Sequence, residues 1–196
     1  MISKGSFLRL FVAIAVPEAA RMEMRRLQDE LRGLASPDDV RWVHPRQFHL
    51  TLKFLGAVPP ASLEAVKAAL TSACDGIAPF RVYARGIGFF PHDRSPRVIW
   101  VGLDSDHAGL IELRRRVDRA LASFAEKHGE ETFRAHVTIG RFQKFRRHKA
   151  EKLLPRASAF RDHVFGEWQV DAVALMRSEL SSDGARHTAL ISVPLG

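Results

Sequence analysis

A second cysteine is missing from this chain of 196 residues; Cys74 stands alone. No internal disulfide can form, so a reducing compartment, the cytoplasm, is the expected setting. Cys74 itself reads as a small residue at a helix end rather than a nucleophile. No apolar run is long enough to span a membrane. The segment Leu10–Val16 is apolar, follows Lys4 and Arg9, and contains Ala13-Ile14-Ala15, which mimics a cleavage site. It is short, however, and Arg9 interrupts its approach, so a buried first strand is expected there instead of a signal peptide. A glycine-rich phosphate loop, a Cys/His array with metal-ligand spacing and a low-complexity linker are also missing; the length allows one large domain or two small lobes. Acidic residues are outnumbered: 22 Asp and Glu against 30 Lys and Arg, a formal charge of +8. That balance favours a polyanionic partner such as a nucleic acid, a nucleotide or a membrane surface, although solubility alone would account for it too.

Composition is otherwise that of a soluble globular protein, with 46% hydrophobic and 27% charged residues. The informative stretch is Phe48–Gly56, Phe-His-Leu-Thr-Leu-Lys-Phe-Leu-Gly. A strand has a side-chain period of two, so His49, Thr51 and Lys53 fall on one face and Leu50, Leu52 and Phe54 on the other. The second face buries itself in a core. The first presents an imidazole beside a hydroxyl. Phe133–Arg141, Phe-Arg-Ala-His-Val-Thr-Ile-Gly-Arg, repeats the pattern, with His136 and Thr138 on one face and Val137 and Ile139 on the other. His-x-Thr is common by chance. Two copies, one in each half of the chain and each in an alternating strand, point to a duplicated unit whose halves face each other across a cleft.

The remaining elements follow from periodicity and breakers. Leu8–Val16 is a strand. Pro17 opens a helix that Gly33 stops, with Met24, Leu27, Leu31 and Leu34 as its apolar stripe. Val40–Val43 is short and extended, and His44 belongs to a solvated connector. A second helix runs from Ser62 to about Ala73. Phe80–Phe90 is a strand bent at Gly86 and Gly88, in a hairpin with Arg97–Leu103. A long helix is expected over Asp106–Lys127, with Arg114, Arg115 and Arg116 on its solvated face. A short helix near Lys149–Pro155 and a terminal hairpin, Gln169–Arg177 with His187–Val193, complete an α+β chain of antiparallel sheet with outer helices. The stretch Arg141–Lys149 holds five Lys/Arg, one His, two Phe and no acid. Cations interleaved with aromatics suit single-stranded nucleic acid; a basic loop with its phenylalanines tucked into the core reads equally well.

His49-Leu-Thr-Leu and His136-Val-Thr-Ile resemble the signature of the two-histidine phosphoesterase superfamily. Leu8-Arg-Leu-Phe-Val-Ala-Ile, Arg41-Trp-Val, His49-Leu-Thr-Leu-Lys-Phe-Leu-Gly, Arg97-Val-Ile-Trp-Val-Gly and Met176-Arg-Ser-Glu-Leu are similar to its RNA 2',3'-cyclic phosphodiesterase branch, also called the 2'-5' RNA ligase family. The resemblance covers about Arg9 to Pro194; Ala135 stands where that family usually has proline. It implies a single bilobal domain over 1–196, its two pseudo-twofold-related lobes carrying the motifs that face each other across a groove. It also implies hydrolysis of 2',3'-cyclic phosphate ends of RNA to 2'-phosphomonoesters, with reverse 2'-5' ligation. His49 would be the proton donor to the leaving 3'-oxygen and His136 the base that activates water.

That chemistry suits the residues. Opening a cyclic phosphodiester needs a base and an acid on opposite sides of phosphorus, and an imidazole of ordinary pKa near ~6.5 serves as either. Thr51 and Thr138 can donate to the non-bridging oxygens, and Arg141, just beyond the second motif, adds charge. Lys53 ranks below Arg141 because its length lets it snorkel away. No metal or other cofactor is needed, and no protein partner, so a monomer is expected. Three rivals stand beside this reading. A metal hydrolase would use the same histidines but needs a further carboxylate or imidazole, which neither motif carries. A non-catalytic RNA-binding module would use the basic groove alone. A phosphodiesterase could also act on 2'-5' linked oligonucleotides or small cyclic nucleotides.

Overall fold

A computed structural model describes residues 7–36, 38–105, 108–126, 133–143, 152–181 and 184–196. Its elements in chain order are β1 (Leu8–Ala15), α1 (Glu18–Arg32), β2 (Val40–Trp42), β3 (His49–Val58), α2 (Leu63–Cys74), β4 (Phe80–Phe90), β5 (Val98–Ser105), α3 (Gly109–Ala120), β6 (His136–Phe142), α4 (Leu153–Ser158), β7 (Val164–Val170), β8 (Ala172–Ser181) and β9 (Gly184–Pro194). Among the described residues no helix is long and apolar enough to cross a membrane.

All the strands join one antiparallel sheet in the order β7-β4-β5-β6-β3-β1-β8-β9, with β2 added on β6. The sheet curls into a half-barrel. The expected lobes are its two runs of four strands, and the two motif strands meet at its centre. Their seam is a single ladder position, Leu50 opposite Val137. The lobes are not contiguous in sequence: β8 and β9 return to β1, and β7 returns to β4. One face buries Leu10, Val12, Leu50, Leu52, Ile99, Val101, Val137 and Ile139. Each such side chain contributes on the order of 1.5–3 kcal/mol. α1 packs against β7 and β6, α2 against α3, β8 and β9, and α3 against β3. The opposite face is left as the groove.

Local outcomes follow recognisable causes. α1 starts after Pro17 and stops at Gly33, with Met24, Leu27 and Leu31 buried. α3 is shorter than its apolar stripe suggests: the backbone leaves helical geometry at Leu121 (φ −105°, ψ 11°) and tightens into a turn at Ala122–Phe124. α4 begins later than expected, with Pro155 in its first turn, where the missing N–H would have no helical partner anyway. The expected strand Gln169–Arg177 is two strands that break at Asp171. β7 goes unread because Gly166, at φ +141° against Ala20, interrupts its alternation. Gly86 (φ +71°) sits at the bulge of β4, whereas Gly88 is a seat: a Cβ there would lie 2.2 Å from the Trp100 ring. Arg114 is not solvated surface; it pairs with Asp118 and lies 5.1 Å over Phe133. Cys74 ends α2 fully buried, its thiol pushed up to about 11 by burial, consistent with an inert role.

Candidate active site

Both motif strands break their alternation at the same place. Val12 faces Lys53 and Ala13 faces Thr51, so Leu52 is an extra residue in β3. Ile99 faces Gly140 and Trp100 faces Thr138, so Ile139 is an extra residue in β6. Each bulge follows its motif threonine directly and re-aims everything after it. Lys53 turns to the side of buried Val12, where its Nζ lies 2.8 Å from Asp118 on α3. This corrects the simple alternation: Lys53 does not share the His49 face. Phe54, expected in the core, is 62% exposed beside Phe11 on the groove side. In β6 the same shift carries Arg141 onto the face of His136 and Thr138, where strict alternation would have hidden it.

The bulge in β6 has a dedicated clamp. Gln28, fully buried on α1, donates from Nε2 to the Ile139 carbonyl at 2.6 Å and to the Val43 carbonyl at 2.8 Å. The Val43 N–H donates to the same Ile139 carbonyl at 3.0 Å. Gln28→Leu removes the donor from two buried carbonyls. It is expected to cost about 1–3 kcal/mol in urea unfolding, and to lower turnover by loosening the alignment of Thr138 and Arg141.

The two histidines are held alike. His49 Nδ1 lies 2.6 Å from the Gln47 carbonyl, and His136 Nδ1 lies 2.6 Å from the Arg134 carbonyl. A carbonyl only accepts, so each Nδ1 carries a proton and each neutral ring keeps a lone pair on Nε2. The short turn Pro45–Gln47 that supplies the first carbonyl is capped by His44 Nδ1, which accepts from the Arg46 N–H at 3.2 Å. Gln47 also donates to the Ala185 carbonyl of β9. Extending the seam register by one residue either way brings His49 opposite Thr138 and Thr51 opposite His136. Each imidazole therefore faces the other motif's hydroxyl.

Aromatic walls set the electrostatics. The His49 ring is 5.0 Å from Phe11 and 5.4 Å from His187; the His136 ring is 4.9 Å from Phe90 and 6.2 Å from Trp100. Burial pushes His49 down to about 4, helped by the Arg141 charge and by His187 and His136 in their protonated forms, and opposed by the Gln47 carbonyl. His136 is lowered by burial and by Arg141, against the Arg134 carbonyl. The Arg141 charge thus acts on both rings. His49, His136, Thr51, Thr138 and Arg141 are brought to one face. The basic stretch after them lies outside the described residues from 144 to 149. Sequence reasoning misses His187, which reads as an ordinary strand residue without a motif around it.

A family model described as LigT-like phosphoesterase matches residues 14–100 and again 101–187. Its two copies are offset by the same interval that separates His49 from His136. The RNA 2',3'-cyclic phosphodiesterase of Methanothermobacter thermautotrophicus is 30% identical over 181 residues, 92% of this chain and 95% of that protein. The enzyme of the same name from Aquifex aeolicus is 30% identical over 193 residues, 97% of each. A crystal structure from Thermus thermophilus superimposes with a TM-score of 0.79 at 29% identity, covering 95% of this chain and 97% of that one. With two matched units spanning both motif strands and relatives aligned nearly end to end, this chain belongs to the LigT-like phosphoesterase family.

Proposed function

We propose that the chain is an RNA 2',3'-cyclic phosphodiesterase that leaves a 2'-phosphomonoester. The observation that carries the reading is the pair of Nδ1-anchored imidazoles, from two copies of one motif, on a face that also holds Thr51, Thr138 and Arg141. His136 Nε2 takes a proton from water. The water oxygen attacks phosphorus in line, the bond to the 3'-oxygen breaks, and that oxygen receives the proton held on His49 Nε2. Thr51 and Thr138 donate to the non-bridging oxygens, and Arg141 offsets their charge. Both imidazoles are held below their ordinary range, so without substrate both rings are neutral near pH 7. The phosphodiester anion reverses this: placed between the rings, it favours a proton on one of them. Substrate binding near neutrality should therefore take up a proton.

Run backwards, with an RNA 5'-hydroxyl in place of water, the same steps form a 2'-5' linkage. Water far outnumbers RNA ends, so hydrolysis dominates unless the ends are tethered. We assign the protein to the cytoplasm, in keeping with its single, buried cysteine, and take it to act as a monomer. The test is to incubate chelator-treated protein with a panel of 2',3'-cyclic and 2'-5' linked substrates and locate the product phosphate. Release of 2'-phosphates from cyclic ends supports the reading. Exclusive cleavage of 2'-5' linkages, dependence on an added metal, or binding without turnover would each replace it. If RNA is the substrate, oligonucleotide affinity should fall steeply with salt while a mononucleotide barely responds. Replacing Lys144, Arg146, Arg147 and Lys149 by Ala should flatten that slope, and an unchanged slope would remove the stretch from RNA binding.

A further inference from the structure

Three strands away from β3, the curl of the sheet returns a third histidine to the site. His187, on β9 opposite Ser178, has its ring centroid 4.9 Å from Phe11 and 5.4 Å from His49, edge-on to both. The bond from Gln47 to the Ala185 carbonyl ties this part of β9 to the turn that orients His49. His187 and His49 share a cleft with an apolar wall, Ala13, Ala174 and Met176, and with Arg21, Arg46 and Gln47 as its other polar groups. An apolar wall with few polar groups is the usual make-up of a small-molecule subsite.

The ring has a defined polarity. His187 Nδ1 is buried and has no hydrogen-bond partner among the described residues. A buried N–H without an acceptor is costlier than an unused lone pair, so the proton of the neutral ring resides on Nε2. Burial also lowers the His187 pKa, which keeps the ring neutral at pH 7. A neutral Nε2–H donor beside His49 has no part in the two-histidine proton transfer.

We propose that His187 is a substrate-binding residue that donates its Nε2–H to an oxygen of the terminal nucleoside in the cleft beside His49. The inference rests on the proposed function, in which the leaving 3'-oxygen, and with it the ribose that carries it, faces His49 while the phosphate stays on the 2'-oxygen. It makes the His49 flank the nucleoside subsite and the His136 flank the water side.

His187→Phe keeps a ring against Phe11 and His49 but removes the donor; His187→Gln restores an N–H near the position of Nε2. Binding of a nucleoside 2'-monophosphate and of inorganic phosphate is measured by calorimetry, and turnover of a 2',3'-cyclic nucleotide is compared with that of methyl 4-nitrophenyl phosphate, which has no nucleoside. The expected result is about a tenfold loss for both nucleoside ligands in His187→Phe, the worth of one hydrogen bond. Inorganic phosphate and the nitrophenyl ester should be unaffected, and His187→Gln should recover most of the loss. Equal losses on all four probes would make His187 a support for His49 and overturn the proposal, as would no loss on any. Absence of cyclic-nucleotide turnover in the unsubstituted protein refutes the proposed function instead, and the binding measurements still decide the subsite.

Discussion

Replacing His49 or His136 by alanine is expected to lower kcat for a 2',3'-cyclic nucleotide by roughly 10²–10⁴-fold. The double variant should lose less than the product of the two, because acid and base serve one displacement and neither works fully without the other. Both substitutions leave the sheet intact, since each histidine is only half-buried and lies on the groove face, away from Leu50 and Val137. Thr51→Ala and Thr138→Ala should cost less, each removing one donor among several to the phosphate. The roles separate on a substrate whose leaving oxygen needs no proton. A nitrophenyl phosphodiester should restore the His49 variant and leave the His136 variant inactive. Rescue of the His136 variant alone would exchange the two roles, and full activity in both would take these histidines out of the chemistry.

What makes this site legible is repetition. Two His-x-Thr strands place His49, Thr51, His136 and Thr138 on one face before any geometry is available, and the register at Leu50 and Val137 joins them. Helices with marked ends are also readable: α1 begins after Pro17 and ends before Gly33. The errors fall where a local rule is overridden. Period-two reading cannot anticipate a bulge, because the extra residues Leu52 and Ile139 are as apolar as the positions they imitate. It therefore puts Lys53 and Phe54 on the wrong faces, and it brings Arg141 to the site by proximity rather than by pleat. Pairing across lobes is equally hidden. Nothing around His187 or Gln28 announces a partner more than a hundred positions away, and each is defined only by contacts that the curled sheet and α1 create.

Arg141→Ala should be the next most damaging change, lowering kcat by about 10²–10³-fold, the usual cost of losing one fixed electrostatic contact to a developing oxyanion. Arg141→Lys should recover part of this, since an ammonium restores the charge but not the planar fork. Lys53→Met is the control. Its ammonium is committed to Asp118 on the helix side of the sheet, so turnover should change little. The pH profile gives a second readout. The kcat/KM profile reports the free enzyme, where both imidazoles lie below their ordinary value and His49 near about 4. The bell for kcat/KM should thus peak on the acid side of ~6.5, whereas kcat, reporting the complex, should peak at higher pH because the bound anion raises both rings. The Arg141 charge opposes protonation of both histidines, so its removal raises both pKa values. In Arg141→Ala the kcat/KM bell should move to higher pH while losing height. A profile that falls in height without moving would place the guanidinium on the phosphate but too far from the rings to act on their titration, and a profile unchanged in both would reduce Arg141 to a surface cation.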